Sequence, residues 1–224
     1  MNLAKEFDGL SNNYTSDIQR WVPYYREMIE AIGNNLPSGF KPNRILDLGC
    51  GNGNVTALLH HRFPDANFTL LDASEEMIKA CRERFSDHRF TFSQGYFQDT
   101  LFRENTFDLV GAGLSLHHLT GEEKRQLFQK VFRCLSPEAC FSFSDLLIEK
   151  EDEPFHSTHL KRWESMAKEK GTTQEEWNWM MEHYDTFDHP NGLEEQLKWL
   201  HLAGFSTVST TFRKIGWTNV LARK

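Results

Sequence analysis

The chain has 224 residues, with 25 Lys+Arg against 32 Asp+Glu, a formal net charge of −7, and 39% hydrophobic and 25% charged residues. That composition supports the core of one domain, or of one domain with an insertion, and excludes a disordered chain. The acidic balance argues against gripping nucleic acid or an anionic membrane through bulk charge. No apolar run approaches the ~20 residues of a membrane span. The start, MNLAKEFDGL, lacks the apolar stretch of a signal peptide. Cys50, Cys81, Cys134 and Cys140 form no CxxC pair and read as reduced thiols of a cytoplasmic protein.

In chain order, apolar residues at Ile18, Trp21, Val22, Tyr25, Met28, Ile29 and Ile32 predict one helical face between Ser16 and Leu36, with Pro23 as an alternative start. Ile45–Leu48 reads as a buried strand, Val55–Phe63 as a helix and Phe68–Leu71 as a second strand. Ser74 caps a helix running to about Phe85. Strands follow at Phe90–Phe92, from Asp108 towards Gly113, and at Ala139–Leu147. A helix over Gly121–Leu135 precedes the last of these and is stopped by Ser136-Pro137. This alternation predicts βαβ units, a mainly parallel sheet and right-handed crossovers. The acid-rich stretch from Glu149 to Asp188 predicts helices at His156–Lys170 and Thr173–Asp185, divided by Gly171. Glu149–Glu153 reads as a solvated connector. A helix over Leu193–Leu202 ends at Gly204, and two strands, Ser206–Phe212 and Trp217–Ala222, close the chain.

The informative segment is ILDLGCGNGNVTALL, Ile45 to Leu59. A strand runs into Gly49-Cys50-Gly51-Asn52-Gly53 and then a helix. Glycines there let the backbone turn sharply and approach a ligand, and a helix N-terminus offers N–H groups and a positive dipole end. The dinucleotide fingerprint G-x-G-x-x-G fails at its third glycine, where Asn54 stands. Asp47, two residues before Gly49, favours a ligand carrying an ammonium and a sulfonium over a pyrophosphate. Asp72 ends the second strand about 20 residues beyond the glycines, the spacing at which an acid reaches a ribose hydroxyl pair.

Residues Ile45–Gly53, Asp72–Met77 and Phe107–Leu119 resemble the class I, seven-stranded Rossmann-like S-adenosylmethionine-dependent methyltransferases. The resemblance implies a doubly wound α/β sheet with an antiparallel terminal strand pair, and S-adenosylmethionine as cofactor. It implies that Asp47, Gly49, Cys50, Gly51 and Gly113 meet the methionine end, Asp72 the ribose, and Ala73 and Met77 the adenine side. The family's usual acid for the adenine amino group is replaced in SQGYFQD by Tyr96, with Phe97 next, which leaves that contact to stacking, a neighbouring backbone or nearby Asp99. The segment YTSDIQRWVPYY resembles the lid of small-molecule methyltransferases and, more distantly, of carboxy-S-adenosylmethionine synthase. By that likeness Tyr14, Arg20 and Tyr25 close over the cofactor, with Arg20 suited to the methionine carboxylate. The synthase's later arginine, which holds the added carboxylate, aligns with Met181, so the chain resembles a plain methyl-donor user. The expected partition is 1–40 as helical lid, 41–148 as cofactor-binding core, 149–190 as helical insertion walling a substrate pocket, and 191–224 as last helix and strand pair.

Methyl transfer needs alignment more than acid–base machinery, because the donor carbon already sits on a cationic sulfur. The expected function is therefore methyl transfer to a small-molecule acceptor. Synthesis of a modified S-adenosylmethionine for tRNA modification, a non-catalytic cofactor-binding module and a nicotinamide-dependent dehydrogenase are the alternatives. His117, in GAGLSLHHL, is a candidate general base; the competing reading is a turn with one packed and one exposed His. His156, His159, His183 and His189 lack metal-motif spacing and read as chance placement on solvated helices, so no metal is expected. Trp163, Trp177 and Trp179 read as the packing face of the insertion, and Cys50 as a small filler. The six tryptophans leave room for an apolar interface such as that of a homodimer.

Overall fold

The computed structural model describes residues 3–9, 13–150 and 153–224. Glu151 and Asp152 of the acidic connector lie outside the described residues. The strands are β1 (Arg44–Leu48), β2 (Asn67–Asp72), β3 (Phe90–Gln94), β4 (Phe107–Gly113), β5 (Leu135–Leu146), β6 (Thr207–Lys214) and β7 (Trp217–Arg223). They form one sheet in the order β3-β2-β1-β4-β5-β7-β6. The first five strands pair in parallel, and β7 runs antiparallel to both β5 and β6. This is the doubly wound, mainly parallel Rossmann-like sheet with an antiparallel terminal pair. The order of the parallel strands reverses beside β1, so the crevice at its carboxyl end is the place for a ligand.

The helices are α1 (Leu3–Asp8), α2 (Tyr14–Trp21), α3 (Tyr25–Asn34), α4 (Asn54–Arg62), α5 (Glu75–Arg84), α6 (Gly121–Cys134), α7 (Glu153–Glu169), α8 (Gln174–Phe187) and α9 (Leu193–Ala203). Period-two alternation in β1 divides the core. Ile45 joins Ile29, Ile32, Leu59 and Cys81 on one face, while Leu46 and Leu48 join Leu127, Phe128, Phe141 and Leu200 on the other. Leu46, Leu48, Leu59 and Phe128 are each wholly removed from solvent, worth roughly 2 kcal/mol apiece. Local caps fix three helix starts. The Ser74 hydroxyl accepts the Met77 N–H, and Thr120 with Glu123 and Thr173 with Glu176 form reciprocal capping boxes. Among the described residues no helix is long and apolar enough to cross a membrane.

Three elements depart from expectation. The single helix expected between Ser16 and Leu36 is broken at Val22–Tyr24: Pro23 supplies no N–H to continue α2, and Tyr24 adopts φ 60° before α3 begins. The residues Ser136-Pro137, expected to precede β5, lie inside it. The strand's register against β4 shifts between Phe107 and Leu109, and Glu138 takes φ 63°; such an irregularity is where a strand tolerates proline. Helix α1 was not expected, and it buries none of its residues.

Candidate functional site

The turn after β1 is shaped by its glycines. A Cβ on Gly49 would come within 2.4 Å of the Ser115 Cβ, at a φ of +67° that disfavours any side chain. The turn's amides are largely spent internally. Gly49 and Cys50 N–H donate to the Leu71 carbonyl, Gly53 N–H to the Cys50 carbonyl, and Gly51 N–H to Asp72 Oδ2 at 2.8 Å. The expected row of N–H groups for an anion is therefore replaced by glycine surface. Asp72 also accepts the Ser74 N–H at 2.9 Å, which ties the end of β2 to both the glycine turn and α5.

Above this turn lies a cleft with about 890 Å³ of open space. It is lined by Tyr14, Tyr25, Gly49, Cys50, Gly51, Asp72, Ala73, Met77, Tyr96, Phe97 and Gly113, all singled out from the sequence. The Tyr14 ring edge sits 3.7 Å from where a Gly51 Cβ would be. Tyr25 accepts a hydrogen bond from the Asn54 side chain, and burial pushes its hydroxyl up to about 12. Cys50 is buried, 3.9 Å sulfur to sulfur from Cys81, and burial holds its thiol well above the ordinary value. Gln98 lines the cleft too, and its buried Oε1 has no hydrogen-bond partner. Asp99 is exposed and outside the lining.

Two expected residues stand elsewhere. Asp47 lies beneath the turn, fully buried; its Oδ2 accepts the Thr56 hydroxyl at 2.6 Å and its Oδ1 has no partner. Burial pushes its carboxyl up to about 7, against the bond from Thr56. The Arg20 guanidinium is turned away to Glu176 (2.6 and 3.1 Å) and Asp17 (2.9 Å), on the outer side of α2 and outside the cleft lining. The Glu176 carboxylate on α8 and the Asp17 carboxylate one turn away on α2 outcompeted the cleft for this side chain.

The folded pKa of Asp47 is raised, so the stability it leaves intact below its ordinary value of 3.8 is lost as pH rises through about 7. Relative to Asp47→Asn, the ligand-free protein should lose roughly 3 kcal/mol between about pH 5 and about pH 8. Denaturant melts of both proteins across that range check it, and parallel pH profiles would refute it.

A second pocket, with about 640 Å³ of open space continuous with solvent, adjoins the first and shares Phe7, Tyr14, Leu114 and His118 with it. Its walls are apolar (Ile18, Trp21, Trp163, Trp179, Met180, Trp217), and one end is polar: His117, His118, His183 and Asp188. His117 follows β4 on a 3₁₀ turn, Leu116–His118. Its Nδ1 meets Asp145 Oδ1 at 2.5 Å, and Asp145 also accepts the N–H groups of Leu116, His117 and Leu146. Burial alone would lower the His117 pKa, but the Asp145 and Asp188 charges raise it to about 9. His183 is lowered by burial to about 4; for Asp188 the neighbouring imidazoles outweigh burial and hold the carboxyl down at about 2. His159 and His183 do not sit on solvated faces as expected. His159 is buried beside Trp163 and Trp217, and His183 contacts His118. Trp163 and Trp177 are buried as expected, and Trp163 Nε1 donates to the Trp21 carbonyl at 2.6 Å.

The residues fit S-adenosylmethionine: bare glycine backbone lining the cleft at Gly49 and Gly51, an orphaned buried carboxylate oxygen on Asp47 beneath the turn, and an acid at the end of β2. Residues 45–138 match the methyltransferase domain family. The chain is similar to the carboxy-S-adenosyl-L-methionine synthase of Chromohalobacter salexigens, at 26% identity over 92% of this chain and 78% of that protein. It is also similar to that of Wolinella succinogenes, at 25% identity over 99% and 95%. Its fold superposes on an S-adenosylmethionine-dependent methyltransferase from Mesorhizobium loti with a TM-score of 0.63, at 21% identity over 87% of this chain and 96% of that one. By its sheet order, its glycine turn and this matched domain, the chain has the class I, seven-stranded Rossmann-like fold of the S-adenosylmethionine-dependent methyltransferases, and its cofactor is S-adenosylmethionine.

Proposed function

We propose that the protein transfers the methyl group of S-adenosylmethionine to a small-molecule acceptor held in the aromatic cavity beside the cofactor cleft. The observation that carries this reading is the junction of the two spaces: the cleft lined by Asp72 opens, past Phe7, Tyr14, Leu114 and His118, into an apolar pocket with one polar end. Bound S-adenosylmethionine supplies a methyl carbon already activated by its cationic sulfur. In this reading Asp72 accepts the ribose hydroxyls, Gln98 Oε1 accepts the adenine amino group in place of the family's acid, and Met77 packs on the ring. Gly51 leaves room for the methionine chain, Gly49 and Gly113 line the same end of the cleft while letting Ser115 and Val55 pack close behind them, and the Asp47 charge attracts the ammonium from below. Tyr14 covers the cleft. Residues 1–40 act as the lid and residues 149–190 wall the acceptor pocket. His117, oriented by Asp145, faces the acceptor, and with its pKa raised to about 9 it takes up an acceptor proton only as the pH approaches that value, where the ring is neutral.

A second reading, synthesis of a carboxylated S-adenosylmethionine, is favoured by the relatives named above, which are similar along nearly the whole chain. Two features weigh against it. Met181 stands where that activity's arginine is expected, and among the described residues the acceptor pocket has no lysine or arginine in its lining to hold a carboxylate substrate. Mass spectrometry of the nucleoside carried through purification separates the two. The methyl-transfer reading expects unmodified S-adenosylmethionine or its demethylated product, and a bound mass higher by one carboxyl group would overturn it.

A further inference from the structure

We infer that the polar end of the acceptor pocket is a metal site, in which His117 Nε2, His118 Nδ1 and Asp188 Oδ1 bind a first-row transition-metal dication. The three donor atoms lie within 4.8 Å of one another. Asp188 Oδ1 is 3.0 Å from His118 Nδ1 and 3.7 Å from His117 Nε2, and His183 Nε2 is 3.8 Å from the same oxygen. Donors at ~2.1 Å from a tetrahedral ion are about 3.4 Å apart. The observed separations straddle that edge, so a modest side-chain adjustment seats an ion.

The hydrogen bonding is unfinished in the way a metal would complete. His118 Nδ1 and Asp188 Oδ1 lie 3.0 Å apart without the alignment of a hydrogen bond, neither makes another hydrogen bond, and the other imidazole nitrogens near Asp188 Oδ1 stand at 3.7 and 3.8 Å, beyond hydrogen-bond reach. Their side chains are 9% and 8% exposed. A carboxylate oxygen so buried is costly unless a cation or a donor meets it. His117 is arranged as a ligand that is supported from behind. Its Nδ1 is held by Asp145, itself fixed by three backbone N–H groups, which leaves Nε2 aimed at Asp188. Carboxylate–histidine–metal relays have this form.

Charge points the same way. Asp145 and Asp188 place two buried carboxylates around the cluster. The nearby buried ammonium, Lys124, is bonded to the His189 carbonyl and to Asn191 Oδ1 at 2.7 Å, not to either acid. Two imidazoles and one carboxylate select zinc, iron or cobalt over magnesium or calcium, and leave coordination positions open. Those positions face the pocket that the same residues line. The ligand class is then an acceptor with an ionisable oxygen, an enol or hydroxyl that binds the ion next to the methyl-bearing cleft. With the ion in place His117 is a ligand, and the metal rather than the ring acidifies that oxygen. This part rests on the reading of the cavity as the acceptor pocket; the ion site does not.

Elemental analysis of protein purified without chelator should find close to one transition-metal equivalent per chain. Chelator-stripped protein should take up Co²⁺ with the visible bands of a low-symmetry site and bind Zn²⁺ in calorimetry. Asp188→Asn should abolish uptake, and Asp145→Asn should weaken it ~10–100-fold, while His156→Gln, outside the cluster, leaves it unchanged. Absence of Co²⁺ bands and of Zn²⁺ heat in folded wild-type protein overturns the proposal even if the variants misfold, as does unchanged uptake by Asp188→Asn. S-adenosylmethionine binding is titrated separately. Cofactor binding without metal uptake therefore sinks the ion alone, and metal uptake without cofactor binding upholds the ion while refuting the reading of the cleft.

Discussion

Asp72→Ala should weaken S-adenosylmethionine binding by about 3 kcal/mol, roughly 100-fold, in isothermal titration. The carboxylate terminates β2 at the mouth of the cleft, where Oδ2 receives the Gly51 N–H at 2.8 Å and Oδ1 the Ser74 N–H at 2.9 Å. Those two bonds do not exhaust its acceptor capacity, and a ribose diol can share the remaining lone pairs. Hydrogen bonds to a charged acceptor are each worth about 1.5–3 kcal/mol. Alanine removes them and also frees the Gly51 amide, loosening the glycine turn after β1. Asp72→Asn keeps one acceptor oxygen and should fall between wild type and alanine. A dissociation constant within about threefold of wild type in folded Asp72→Ala would place the ribose elsewhere.

His117→Gln should lower kcat by ~10²–10⁴-fold while leaving S-adenosylmethionine affinity nearly unchanged. The basis for that split is position: His117 lines the aromatic cavity and not the cleft above the glycine turn. Glutamine can keep a hydrogen bond to Asp145 but supplies no ring nitrogen to take a proton or bind an ion. Asp145→Asn should lower kcat in the same direction, because it releases the ring that the carboxylate now orients. Single-turnover rates at saturating cofactor check both variants. Full activity in His117→Gln would remove this end of the pocket from the chemistry.

Features written in contiguous residues were legible before folding. The strand–glycine–helix run at Ile45–Leu59 could be recognised because a continuously buried strand, positive-φ glycine turns and a helix start occur within fifteen neighbours. Ser74 was readable as a cap because its partner, Met77, is three residues away. The terminal pair was readable because the turn between Lys214 and Trp217 joins two β-rich stretches directly. Local signals misled at the break in the first long helix, where Tyr24 adopts a left-handed conformation that Gly or Asn more often supplies.

Side-chain partners distant in the chain were not legible. Arg20 reads from sequence as a carboxylate-binding residue, and it is one, but its carboxylate belongs to Glu176, 156 residues away. His183 and Asp188 carry no motif, and they meet His117 and His118 only because α8 folds back over the end of β4. The sequence by itself determined the order of strands and helices, the glycine turn and the acid that ends β2, since each depends on spacing within one or two turns of chain. The tertiary structure alone decided which charges face the cleft, which are neutralised outside it and which histidines share a carboxylate. Those outcomes depend on burial and on distances of a few ångströms between segments that the linear order leaves unrelated.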